Sequence, residues 1–113
     1  MKKIYLTILA LTMMFTQSSL AEADYVLVDV RTPQEYQQKH LSGAQNIDFY
    51  SPNFATSLKA LDKNKEYKIY CRSGNRSGQA IRLMKELGFS KVEDVGSLEQ
   101  AQSRLKRQCK GAC

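Results

Sequence analysis

The chain is expected to fold as a small α/β domain, a parallel sheet with helices on both faces, and three features of its sequence predict this. Tyr25 to Val30 is a nearly unbroken apolar run, the mark of a strand buried on both faces. Tyr67-Lys68-Ile69-Tyr70 is a second short strand. Between and after them lie capped amphipathic helices, so strands and helices alternate as in βαβ units. In such sheets the ligand crevice lies beyond the carboxyl ends of the strands.

Each element follows from local chemistry. Thr32-Pro33-Gln34-Glu35 reads as a capping box, with Thr32 as N-cap and Pro33 at the first helical position. A short helix to about His40 should follow, then a turn over Leu41 to Gln45 and a brief strand from Asn46 to Phe49. Ser51-Pro52 opens another helix, on which Phe54, Leu58 and Leu61 share one face. Asp62 to Glu66 is a charged turn before the strand Tyr67 to Cys71. From Ser77 onward, Ala80, Ile81, Met84 and Leu87 form an apolar helical face, and Gly88 stops that helix with Phe89 packed behind it. Val92 to Val95 is the last strand, Gly96-Ser97 a turn, and Leu98 to about Lys106 the closing helix.

Cys71 carries the chemistry. It ends a strand and opens Cys71-Arg72-Ser73-Gly74-Asn75-Arg76-Ser77, which runs into a helix. A strand, a tight loop and a helix N-terminus aim unpaired N–H groups at one point. A sulfur placed there feels the positive end of the helix dipole and the guanidinium groups of Arg72 and Arg76, all of which favour the nucleophilic thiolate. The same cradle suits an anionic reactant. Free cysteines more commonly serve as small buried hydrophobes, but the polar run from Arg72 to Ser77 does not suit a core.

At 113 residues the chain is long enough for one domain. Residues 1–21 read as a cleaved signal peptide. Lys2 and Lys3 precede the apolar stretch Ile4 to Phe15, and Ser19 and Ala21 occupy the −3 and −1 positions of a cleavage site. Twelve apolar residues fall short of the ~20 that a spanning helix requires, so no stable membrane anchor is expected after cleavage. The expected location is the periplasm. Net charge is +6 for the whole chain, and the surplus left without Lys2 and Lys3 suits a small anionic substrate. The basic residues are scattered, which argues against nucleic acid. The three cysteines are an odd number for an exported protein, with Cys109 and Cys113 the natural disulfide pair and Cys71 left free. His40 and the cysteines lack the paired spacing of a metal site, so no metal is expected.

With these residues in view, the chain resembles the rhodanese-like family. Asp29-Val30-Arg31-Thr32-Pro33-Gln34-Glu35-Tyr36 is similar to that family's opening motif, and His40-Leu41-Ser42-Gly43-Ala44-Gln45-Asn46-Ile47 to its second. Cys71 to Ser77 matches its active-site loop, and Leu87-Gly88-Phe89 with Val95-Gly96 resembles its closing segment. The likeness assigns 22–107 to a rhodanese-like domain and leaves 108–113 as a basic, cysteine-containing tail. Two features depart from the family pattern: Gly96-Ser97 stands where many relatives carry two glycines, and the tail is an addition.

The resemblance implies a single-domain, monomeric sulfurtransferase that works without a cofactor. The Cys71 thiolate would take sulfane sulfur from a donor such as thiosulfate, and cyanide or a thiol acceptor would remove it. The loop from Arg72 through Ser73, Gly74, Asn75 and Arg76 to Ser77 would bind the anionic donor, with Asp29 and Arg31 either bracing the site or forming a structural ion pair. Two alternatives share the fold. A sulfur-carrier module would hold the same persulfide with little turnover. A phosphatase would need, by the same resemblance, a loop one residue longer than the four residues between Cys71 and Arg76.

Overall fold

The computed structural model describes residues 24–113. The elements run β1 (Tyr25–Asp29), α1 (Pro33–Gln38), β2 (Lys39–Leu41), β3 (Gln45–Asn46), α2 (Phe54–Lys59), β4 (Glu66–Cys71), α3 (Asn75–Glu86), β5 (Val92–Ser97), α4 (Leu98–Leu105) and β6 (Cys109–Gly111). A four-stranded sheet in the order β3-β1-β4-β5 is parallel throughout. The two most apolar runs, β1 and β4, take its centre, where both faces are covered.

The two-residue period of the strands divides the core. Val28, Val30, Tyr67, Ile69 and Cys71 pack with Phe54 and Leu58 of α2 and with Ala80, Ile81 and Met84 of α3. On the other face, Leu27, Tyr70 and Val95 pack with Leu98 and Ala101 of α4, and Tyr36 of α1 joins them. Helices therefore cover both faces, as the sequence predicts.

Several boundaries differ from the sequence reading. The first helix stops at Gln38 rather than His40, and Lys39–Leu41 becomes a strand. The strand expected over Asn46 to Phe49 is only Gln45–Asn46. The helix expected from Ser51-Pro52 begins at Phe54, and the one expected from Ser77 begins at Asn75. Gly96 and Ser97 belong to β5, and Ser97 caps α4 through a Ser97–Gln100 capping box. The expected signal peptide lies outside the described residues.

The tail is not a free end. β6 pairs antiparallel with β2, and Ser42 and Ala112 donate their N–H groups to the carbonyls of Gln108 and Gln38 at 2.8 and 2.7 Å. Cys109 and Cys113 are joined in a disulfide, which leaves Cys71 as the free cysteine. Local strand and helix signals could not show this pairing, because β2 and β6 are three residues each and find one another only across the fold. Gly111 adopts φ +101°, and a Cβ there would collide with the Gln38 carbonyl. Gly111→Ala is therefore expected to unpair β6. Amide exchange should quicken at Ser42 and Ala112 and stay unchanged in β1 and β4.

Candidate active site

Cys71 is the last residue of β4, and its side chain lies on the α3 face with Tyr67 and Ile69. Three residues turn the chain before α3 begins. Gly74, the N-cap, has φ +94°, a conformation that favours glycine, and this brings its N–H back to 2.8 Å from the Cys71 sulfur. Ser77, in the first turn of α3, places its hydroxyl oxygen 3.5 Å from the same sulfur, and both side chains are fully buried. Burial pushes the Cys71 thiol up. The Ser77 hydroxyl and the backbone of Ser77, Ser73 and Gly74 outweigh it and bring the thiol below its ordinary value. Of the influences expected from sequence, the hydrogen bonds of the cradle lead the lowering.

Arg76 does not stand open toward solvent. Its guanidinium donates to both carboxylate oxygens of Glu35, at 2.8 and 3.1 Å, and lies over the Tyr50 ring. Glu35 thus caps α1 through Thr32 and also ties that helix to the loop. The Arg76 bonds hold its carboxyl well down, at about 2, against a burial effect that would raise it, with the Thr32 backbone adding to the lowering. A carboxylate lowered from 4.5 on folding contributes stability that is complete above 4.5 and lost as pH falls toward about 2. Glu35→Gln should flatten the dependence of the melting temperature on pH across that window. A slope equal to that of wild type would contradict the pairing.

Asp29 and Arg31 form a closed, buried ion pair. Nε and Nη2 of Arg31 donate to the Asp29 carboxylate at 2.6 to 3.0 Å, and Nη2 also donates to the Lys39 carbonyl. Asn46 donates to the carbonyls of both residues, which locks the end of β1 to β3. Arg31 also lines a pocket of about 350 Å³ together with Glu35, Lys39, Glu99 and the exposed Arg72. Asn75 and Ser73 are exposed at the loop surface. His40 stacks on Tyr36, and its Nδ1 lies 2.8 Å from the Tyr36 carbonyl.

Two contributors carry no local signal of their role. Glu35 reads in sequence as a cap, since nothing local places Arg76 beside it. Asp94 lies on β5, and its Oδ1 accepts from the Ser77 hydroxyl at 2.7 Å and from the Gly96 N–H at 2.9 Å. Its position depends on register: Ile69 pairs with Asp94, but Tyr70 pairs with Gly96, so Val95 is an extra residue in a bulge. Asp94 therefore shares the face of Ile69 and Cys71 while Val95 packs on the other.

Residues 16–102 match the model of the rhodanese-like domain. The chain is 37% identical over 92 residues to the thiosulfate sulfurtransferase PspE of Escherichia coli K12, covering 81% of this chain and 86% of that one. It is 36% identical over 81 residues to the thiosulfate sulfurtransferase GlpE of Pseudomonas fluorescens, covering 72% of this chain and 70% of that one. Among solved structures, a rhodanese with anions from E. coli matches with a TM-score of 0.63 and 35% identity, over 77% of this chain and 98% of that one.

Proposed function

The chain belongs to the rhodanese-like family, as a sulfurtransferase similar to PspE, and from that premise we propose that Cys71 is the atom-carrying nucleophile. The observation that carries this reading is the convergence of the Gly74 N–H and the Ser77 hydroxyl on one buried sulfur at the mouth of α3. In the first half-reaction the thiolate attacks the outer sulfur of thiosulfate. A sulfur–sulfur bond forms to Cys71 as the bond to the sulfonate sulfur breaks, and sulfite leaves with the electron pair. In the second, cyanide or a thiolate acceptor attacks the persulfide's outer sulfur, and the Cys71 thiolate returns. No proton or electron is gained or lost over the cycle with cyanide.

The backbone N–H groups around Cys71 stabilise the anionic sulfur in both states, as an oxyanion hole does an oxygen. Arg72, exposed at the pocket, attracts the dianionic donor, and Arg76, held by Glu35, adds positive charge beside the sulfur. Ser73, Gly74 and Asn75 shape the loop. The Asp29–Arg31 pair braces the strand end rather than touching substrate. Covalent transfer in two steps predicts ping-pong kinetics. Parallel double-reciprocal lines for thiosulfate and cyanide are expected from the purified chain. A persulfide that forms and passes to a partner protein, with no thiosulfate turnover, would instead identify a carrier.

We further propose export to the periplasm through residues 1–21, followed by cleavage, and action there as a monomer without a membrane anchor or nucleic-acid partner. Support comes from Lys2 and Lys3 ahead of the apolar stretch. The Cys109–Cys113 disulfide suits an oxidising compartment. Finding Lys2 in the N-terminal peptide of the periplasmic form would exclude cleavage.

A further inference from the structure

The Ser77 hydroxyl has one proton and three acceptors around it. The Asp94 carboxylate is 2.7 Å away, the Gly74 carbonyl 3.0 Å and the Cys71 sulfur 3.5 Å. While Cys71 is a thiol, the arrangement is a chain: the thiol S–H donates to the Ser77 oxygen, and the Ser77 O–H donates to Asp94. Once Cys71 loses its proton, its sulfur can only accept. The Ser77 hydroxyl can then serve the thiolate only by leaving the shorter, charge-assisted bond to the carboxylate.

We propose that Asp94 is a positioning residue that acts through Ser77, taking the hydroxyl proton that the Cys71 sulfur would otherwise receive as it ionises. Asp94 thus opposes the backbone cradle, which favours the thiolate. The opposition has a chemical use, because a thiol's nucleophilicity falls with its basicity and the best attacking thiol ionises near ambient pH. Asp94 is on this face because it pairs with Ile69, just ahead of the bulge at Val95, and its second carboxylate oxygen lies against α3 at Gly78, where a Cβ would sit at an ordinary contact distance of 3.5 Å from Oδ2.

Other charges surround the site. Arg76 of α3 is near enough to interact with Cys71 and has Glu35 of α1 bound to it, the Asp29–Arg31 pair closes the end of β1, and Arg72 lies in the loop. None of these bonds to Ser77 or Asp94, so substitutions at those two positions leave them in place.

The test follows the ultraviolet absorbance of the Cys71 thiolate against pH, after subtraction of the Cys71→Ser curve. Wild type, Asp94→Asn, Ser77→Ala and the double variant are compared. Asparagine keeps an oxygen to accept from Ser77 and Gly96 but loses the charge, and the disulfide-bonded Cys109 and Cys113 do not titrate. Asp94→Asn should lower the midpoint by about one pH unit, roughly tenfold in ionisation constant. In the Ser77→Ala background, which has no hydroxyl for Asp94 to hold, Asp94→Asn should have little further effect. An unchanged or raised midpoint in Asp94→Asn would overturn the proposal, as would an equal fall with and without Ser77. If Asp94→Asn does not fold, Asp94→Ala takes its place in the same four-way comparison, with the same outcomes deciding. The inference rests on Cys71 being the nucleophile, but the titration reads ionisation whether or not sulfur is transferred, so the two readings can fail separately.

Discussion

Cys71→Ser is expected to reduce thiocyanate formation from thiosulfate and cyanide to the uncatalysed level and to abolish persulfide labelling, while the protein stays folded. The loss is chemical: an alcohol is far less acidic than a thiol at this site, and its oxygen cannot form a persulfide. The fold should survive because the serine hydroxyl still meets the Gly74 N–H and the Ser77 hydroxyl in the same cradle. Keeping those partners holds the change in stability to about 1 kcal/mol, well within what a domain tolerates. Circular dichroism and thermal melting check the fold, and cyanide-dependent thiocyanate release checks the chemistry. Thiocyanate production that survives the substitution would remove the persulfide mechanism from this protein. Aryl-phosphate hydrolysis in wild type, lost in Cys71→Ser and without any thiosulfate activity, would point to the phosphatase alternative.

Arg31→Met should produce the largest loss of stability. The Asp29 side chain has no solvent exposure, and the Arg31 guanidinium supplies most of its donors, leaving the Arg31 backbone N–H at 2.9 Å after substitution. An uncompensated buried charge of this kind costs about 3–5 kcal/mol, a large fraction of the 5–15 kcal/mol typical of a domain. In a domain of this size the melting temperature should fall by more than about 10 °C. The Lys39 carbonyl also loses its donor, so β2 should loosen with it. Replacing both partners, as in Asp29→Leu with Arg31→Met, should recover much of the loss, since a packed apolar pair carries no buried charge. A single Arg31→Met variant that melts within a few degrees of wild type would show that the pair does not brace the strand end.

The strands were legible where burial on both faces writes an apolar run, as in Tyr25–Asp29 and Glu66–Cys71. The Thr32–Glu35 capping box was legible because four consecutive residues carry its whole logic. The Ser97–Gln100 box has the same chemistry and was missed, because Gly96-Ser97 reads as a turn when the bulge in β5 is not known. β2 was missed because Lys39-His40-Leu41 is too short for a period to register and is a strand only by virtue of β6. For the site, Cys71, Gly74 and Ser77 lie within seven residues, and a strand–loop–helix passage brings them together with little help from the rest of the chain.

The sequence by itself determined the fold class, the cysteine proposed as nucleophile and the loop that surrounds it, because each depends on residues that are neighbours along the chain. Only the tertiary structure decided what surrounds that sulfur beyond its own loop. Glu35 reaches Arg76 across 41 positions, and Asp94 reaches Ser77 across 17. The packing of α1 beside the loop and the register of β5 on β4 created those contacts, and local composition carries no record of them. The sulfur's acidity follows the same division. Its backbone donors come with the loop, whereas the carboxylate competing for the Ser77 proton arrives on a strand whose register is set only when β5 pairs with β4.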